Sequence, residues 1–416
     1  MTHPTSHSPA LTRDATHAPR LPRRTALAAG AGAGLALVLA ACGSDEPDDS
    51  ARQASGDSPD APRRVIVVGA GPAGMLSAAL LHRAGADVRV LEARPTHGGR
   101  IRHDLQFTDY PIPLGGEWLH APAAELDELI SGLSDERDIE LVPYAADDSY
   151  GFYDGRLTTT TLGGDTGIDQ KFADSSWLDV FDTYVVPWIA DRMTYETEIV
   201  HIQDTGDEVV LTDAVGERHT ADATVVTVPL AVLRDGRVEF DPPLPASHVQ
   251  AIEDADLWGG TKVFVEFSER FWPTYLEFPD SFTPTGQRLY YDAGHGHTTS
   301  ANVIGLFAVG AHAAPYQAVD AGDQLRDLVL AELDEIFDGA ATAGYIQHIA
   351  QDWDAEPFAR GAYLSDVADP AVPRRLSERF SDRVILAGDS YTTHDDWGAV
   401  DDAARSARDA VDFLLS

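Results

Sequence analysis

Val65-Ile66-Val67-Val68-Gly69-Ala70-Gly71-Pro72-Ala73-Gly74 is the stretch whose reading decides the fold. Four consecutive β-branched residues predict a strand buried on both faces, as in a parallel sheet. The strand runs straight into three glycines with GxGxxG spacing. Gly69 permits the tight turn, Gly71 lets the backbone approach a pyrophosphate, and Gly74 lets the following helix pack closely on the strand. The helical pattern that follows (Met75, Ala78, Ala79, Leu81) breaks at Gly85. A second strand, Val88 to Leu91, ends in Glu92, which is placed to accept hydrogen bonds from a ribose. The N-terminus of the helix offers free N–H groups and partial positive charge to phosphates. Strand, glycines, helix and acid together predict a dinucleotide site.

Working outward, Gly98-Gly99-Arg100 follows soon after, combining backbone that can pass beside a dinucleotide with a guanidinium that can pair with phosphate. Far downstream, Arg383-Val384-Ile385-Leu386-Ala387 predicts another buried strand. It ends in Gly388-Asp389, where a carboxylate can bond the ribityl hydroxyls of a flavin. The stretch Val400 to Leu415 predicts a helix whose N-terminus faces the flavin pyrimidine ring. Segments from the two ends of the chain thus build one flavin site, and FAD is the expected dinucleotide.

The 416-residue chain as a whole sets further bounds. Its net charge is −38, which argues against nucleic acid as a partner, since that needs a positive footprint. Only two of its 30 basic residues are lysines, Lys171 and Lys262; the others are arginines. A single cysteine, Cys42, excludes an intramolecular disulfide and a cysteine-based zinc site, and no metal site is expected. Residues 1–42 read as an export signal: Arg23-Arg24, a Gly/Ala/Leu run from Thr25 to Ala41, then Cys42. The pair is similar to a twin-arginine (Tat) signal, and Leu39-Ala40-Ala41-Cys42-Gly43 resembles a bacterial lipobox. Residues 43–62 are nearly devoid of apolar side chains and read as a disordered tether. The expected location is the outer face of the cytoplasmic membrane, reached by a lipid anchor only.

These motifs resemble the flavin amine oxidase family of monoamine and polyamine oxidases, L-amino-acid oxidases and flavin-dependent histone demethylases. The resemblance spans roughly residues 63–125 and 185–416. It rests on Gly115-Gly116-Glu117-Trp118, on Glu198-Ile199-Val200-His201-Ile202, and on Val225-Val226-Thr227-Val228-Pro229-Leu230 followed by Phe240-Asp241-Pro242-Pro243-Leu244-Pro245. It rests also on Gly260-Thr261-Lys262-Val263-Phe264-Val265 with Phe271-Trp272, and on Trp353 ten residues before Tyr363.

The resemblance implies an α/β fold in which a Rossmann-like FAD-binding domain with a parallel sheet (63–125, 188–252, 368–416) is interleaved with a smaller α+β substrate domain on a mixed sheet (126–187, 253–367). Cofactor contacts implied with it are Gly69, Gly71, Ala73, Gly74, Glu92, Ala93, Arg94, Gly99, Arg100, Gly115, Gly116, Glu117, Trp118, Ile199, Trp353, Gly388, Asp389, Ala399 and Val400. Catalytic positions are Lys262, whose family counterpart bonds the flavin N5 through a water, Tyr363 standing against the flavin, and Trp397. The last substitutes for a cage tyrosine that falls on Ala399. The family's covalent-flavin cysteine falls on Ala362, so FAD is expected to be held without a covalent bond. Only about 75 residues separate Trp118 from the adenine strand, too few for the large helical substrate subdomain of longer members.

The implied activity is oxidation of a small-molecule amine to an imine and then an aldehyde, with O2 reduced to H2O2. Two alternatives stand beside it: a flavin dehydrogenase or desaturase acting on a non-amine, and a surface lipoprotein that binds FAD without turnover. Lys171 is the control position, where substitution by methionine is expected to be silent. His120, His348 and His394 are isolated, with polar roles expected.

Because FAD is loaded in the cytoplasm and both chain ends close over it, export should use a pathway for folded cargo. Replacing Arg23 and Arg24 by lysine should therefore leave FAD-bound precursor in the cytoplasm, and Cys42→Ser should abolish lipid attachment. Fractionation that still finds both variants exported and membrane-bound would show residues 1–42 to be misread.

Overall fold

The computed structural model describes residues 63–163, 169–365, 367–392 and 396–416. The expected signal, lipidated cysteine and tether lie outside the described residues, as does His394. Among the described residues no helix is long and apolar enough to cross a membrane.

The decisive stretch folds as read. Strand β1 (Arg64–Val68) leads through the glycine turn into helix α1 (Pro72–Arg83) and then strand β2 (Asp87–Leu91). Both strands belong to a five-stranded sheet ordered 384–386, 223–226, β1, β2, 193–194, with every neighbour parallel. Pro72 starts α1 at the position where its missing N–H costs nothing. The close packing assigned to Gly74 is real: a Cβ there would lie 2.0 Å from the carbonyl oxygen of Gly69. The C-terminal helix Val400–Leu415 packs beside α1, its inward face made by Ala403, Ala404, Ala407, Ala410, Val411 and Leu414.

A four-stranded sheet (order 218–221, 209–213, 199–204, 239–241) lies over the other face and carries Ile199. Its core joins Ile66 and Val68 of β1 with Ile202, Val209 and Leu211. The third layer is a large mixed sheet in which the strand Gly260–Phe267 sits between Asn302–Gly310 and Tyr345–Asp352. The sheet is antiparallel except where Tyr275–Glu277 pairs in parallel with Ser149–Tyr153. The α/β class with a parallel nucleotide-binding sheet and a mixed second sheet is thus present.

Segment 126–187 departs from expectation. It was assigned whole to the smaller domain, but it divides. Helices Ala123–Ile130 and Trp177–Tyr184 bury Leu126, Leu129, Ile130, Trp177, Val180, Phe181 and Tyr184 in the same core as α1. Only the hairpin Ser149–Tyr153 with Leu157–Thr161 extends the large sheet. The cause is helical periodicity: apolar residues three and four apart give each eight-residue helix one face to bury, and the parallel-sheet core is what it meets.

Gly74→Ala should destabilise the protein by ~3 kcal/mol, since the methyl must displace a strand-end carbonyl rather than a flexible side chain. Thermal melts should show a large fall in midpoint; an unchanged melt would mean that α1 does not press on β1 as described.

Candidate functional site

One continuous cleft runs between the parallel sheet and the large mixed sheet. Every expected cofactor residue lines it except Gly74, and every expected catalytic residue lines it except Trp397. Gly74 is buried beneath the turn, where its role is packing.

At the nucleotide end, a Cβ on Gly71 would meet no protein atom within 4 Å, so the backbone faces open cleft at the place assigned to pyrophosphate. Gly99 closes over it, with its own Cβ position 3.1 Å from Cα of Gly71. The buried Glu92 carboxylate accepts the backbone N–H of Ala70 (2.6 Å) and of Arg94 (2.9 Å), which pins the end of β2 against the glycine turn. Burial nevertheless raises its pKa above the ordinary glutamate value. Arg100 pairs with Asp389 (2.5 Å) and also donates to the carbonyl of Ala362. The expected phosphate and ribityl partners are therefore bonded to each other on the cleft wall. The cradle that a Cβ would fill and the helix N-termini at Pro72 and Val400 fit a dinucleotide.

Further along, Gly115 presses the chain against the preceding loop: its Cβ position is 1.9 Å from the Arg100 carbonyl and 2.8 Å from the Trp353 ring. Trp353 donates its indole N–H to the carbonyl of Leu114 (3.0 Å) and is capped by Arg102. This turn delivers Glu117 and Trp118 to the cleft.

Glu117 is the electrostatic centre. Its buried carboxylate accepts Lys262 Nζ at 2.5 Å and the Tyr291 hydroxyl at 2.5 Å on one oxygen, and pairs with Lys171 Nζ at 3.1 Å on the other. Burial opposes its charge, but the two ammonium groups outweigh burial, and its pKa falls below the usual glutamate value. Burial also lowers the pKa of Lys262, against the attraction of Glu117. Lys262 sits mid-strand, paired in register with Phe307 and Gln351, and its ammonium lies 4.8 Å from the Trp118 ring centroid. Tyr291, pushed well above the ordinary tyrosine value by burial and by Glu117, stays neutral.

Lys171, expected to be silent on substitution, stands instead in contact with the same carboxylate as Lys262. It is fully buried, donates to the carbonyl of Ala293 (2.9 Å) and holds the carboxylate that Lys262 holds. Two retained lysines in an arginine-rich chain was the available signal, and it pointed to both.

Trp397 is the second correction. Its indole N–H donates to the carbonyl of Ser365 (2.9 Å), and its ring packs into the core with Leu364, Val372 and Tyr391 rather than onto the cleft. The segment Trp397–Ala399 leads into the last helix, so only Gly398 and Ala399 reach the cavity. Tyr363 does line the cleft, its ring 6.2 Å from that of Trp258. The aromatic wall comes from elsewhere. Trp118 stands edge-on to Phe307 (6.0 Å), donates to the Tyr144 hydroxyl (3.2 Å), and Tyr144 meets Tyr275 (6.2 Å). Phe307 and Tyr363 pack on the same small cluster as Ala362. Tyr144, Tyr275 and Phe307 were missed because no local motif marks them. Of the isolated histidines, His120 lines the cleft and pairs with Asp169 (2.8 Å), while His348 bonds Tyr345 and lies off it.

The profile described as "Flavin containing amine oxidoreductase" matches residues 189–415, and that described as "NAD(P)-binding Rossmann-like domain" matches residues 67–133. Polyamine oxidase 4 of Oryza sativa subsp. japonica is 24% identical over 84% of this chain and 88% of its own. L-amino-acid oxidase of Trimeresurus stejnegeri is 27% identical over 52% of this chain and 43% of its own. Among solved structures, wild-type putrescine oxidase bound to putrescine superposes with a TM-score of 0.70 at 16% identity, covering 85% of this chain and 99% of that one.

Gly71→Val should yield protein that folds, because the side chain meets no protein atom, but that purifies colourless. Flavin content per folded protein is the measurement. A fully yellow variant would remove the pyrophosphate assignment.

Proposed function

We propose that this chain, which belongs to the flavin-containing amine oxidoreductase family, oxidises a small primary or secondary amine to an imine, with O2 as the final electron acceptor and H2O2 as its product. As a member it is an FAD-dependent oxidoreductase. One observation carries the finer reading: Lys262, Glu117, Trp118 and Tyr363 share a single cleft with the dinucleotide turn, walled further by Phe307, Tyr144 and Tyr275.

Bound flavin supplies the acceptor for a hydride from the carbon next to nitrogen. The chain's own residues supply position and exclusion of water. The rings of Tyr363, Phe307 and Trp118 give an apolar slot suited to the carbon chain of an amine. Lys262 presents a donor fixed on both sides by strand pairing, so it needs no reorganisation when charge develops at the cofactor. Arg100 and Asp389 would hold the polar part of the cofactor between the sheets, and Gly71 would admit its pyrophosphate. Ala362 carries no thiol, which supports non-covalent FAD. Hydrolysis of the released imine gives an aldehyde or ketone and ammonia or a smaller amine. Export by a Tat-like signal and lipid anchoring through Cys42 belong to the same proposal and rest on residues 1–42 alone.

The test is anaerobic addition of mono-, di- and polyamines and amino acids to the yellow protein. Bleaching by an amine, followed by peroxide on admitting air, is the expected outcome. Bleaching by non-amines alone would replace the reading with that of a flavin dehydrogenase. Lys262→Met should keep FAD but slow bleaching by about tenfold or more in single turnover, since it removes a positioned donor and leaves the cradle. Acid precipitation should release all flavin to the supernatant; flavin left in the pellet would refute non-covalent binding.

A further inference from the structure

Both lysines of the chain end on the same carboxylate. Lys262 and Lys171 come from different elements, the strand Gly260–Phe267 and the short strand Gln170–Phe172, and Glu117 comes from a third segment. Elsewhere this chain uses arginine for its cations. Arginine cannot give up its proton in a protein, whereas a buried lysine can. The two lysines are in electrostatic contact through one acid.

Charge counting sharpens this. Two ammonium groups and one carboxylate leave a single uncompensated positive charge in a dry site, an arrangement that burial penalises. The surrounding titratable groups do not offset it: His295 is lowered by burial and by Lys171, against the pull of Asp148 3.8 Å away. Tyr291, Tyr144 and Tyr110 are all pushed up by burial and stay neutral. His297, stacked on Tyr110, is pushed down to about 4 by burial and then by Lys171, so it too is neutral near pH 7. Asp292 is matched to Arg270 (2.6 Å), and Gln351, on the strand beside Lys262, is bound by Arg102 (2.9 Å). The remaining neighbours of Lys262 are the Pro113 carbonyl and the rings of Trp118 and Phe264. Lys262 and Glu117 line the cleft, and Lys171 stands behind Glu117, outside its lining.

We propose that Lys171 is a positioning residue that sets the charge of Lys262: by holding one oxygen of Glu117 and adding a second positive charge behind it, it disposes Lys262 to release its proton to bulk water. A cationic amine entering the cleft would then meet a cluster able to shed its excess charge. The inference rests on the assignment of Lys262 to the cofactor side of the cleft.

The signs follow from Coulomb's law. Removing the like charge of Lys171 must raise the pKa of Lys262, and removing the opposite charge of Glu117 must lower it. With only two lysines, FAD-loaded protein grown with [ε-13C]lysine gives two lysine signals whose shifts report protonation. Loss of one in Lys262→Met assigns them. Lys171→Gln is the primary variant, because its amide keeps a donor for the Ala293 carbonyl and carries no charge. The Lys262 titration should move to higher pH in Lys171→Gln and to lower pH in Glu117→Gln. The pH limb of anaerobic flavin reduction should move the same way in each. Lys171→Met serves if Lys171→Gln does not fold. In wild-type protein the Lys262 signal should already titrate below free lysine. Should Lys262 titrate like free lysine, or keep its midpoint in the neutral Lys171 variants, the proposal is overturned. The signals are read without substrate, so failure of the amine reading would show separately, as a flavin that no amine reduces.

Discussion

A carboxylate taken out of water must be compensated, and in this protein the compensation of Glu117 ties the molecule together. Its oxygens are met by Lys262, Lys171 and the Tyr291 hydroxyl. Those partners stand on the strand Gly260–Phe267, next to the edge strand of the large sheet, on a short strand between two core helices, and on the strand Gly286–Asp292. Removing Glu117 would leave two ammonium groups without an anion in a dry environment, which costs far more than the pairs themselves contribute. The neighbourhood is built around this. Gly305 has no side chain because a Cβ there would lie 2.5 Å from the Tyr291 ring.

That cluster and the dinucleotide turn sit at opposite ends of the same wall. Gly115 and Gly116 join them: the chain must pass close to the Arg100 carbonyl, and from there Glu117 and Trp118 turn into the cleft. The packing of the glycine turn and the placing of the lysine pair are thus mechanically connected through a few residues of extended chain. The nearly parallel use of glycine in both places has one cause, close approach of two backbones, with different consequences. At Gly71 the space is left open for a ligand, and at Gly74 and Gly115 it is filled by protein.

The short insertion between Trp118 and the strand Ile199–Asp204 also finds its place. Among the described residues it builds no separate helical subdomain. Its two helices complete the core beneath α1, and its hairpin lengthens the mixed sheet. That side of the cleft is lined by the sheet itself, through Tyr275, Phe307 and Leu289, together with Tyr144 from the insertion. Its slot is aromatic, with the His120–Asp169 pair the polar feature on the insertion side.

Residues near one another in sequence determined their own arrangement. The run from Val65 to Gly74, the acid at Glu92 and the helix Val400–Leu415 were legible because turn chemistry, burial on both strand faces and helical period act within a few residues. Lys262 was legible for the same reason: a cation in an apolar strand contradicts its surroundings and so announces itself. Tertiary structure alone decided which distant groups meet. No local rule brings Lys171 to Glu117, turns Trp397 into the core with its N–H on Ser365, or sends the apolar faces of Ala123–Ile130 and Trp177–Tyr184 to the parallel sheet rather than the mixed one. Each of those outcomes depends on shape and charge compensation between surfaces that exist only once the chain has folded.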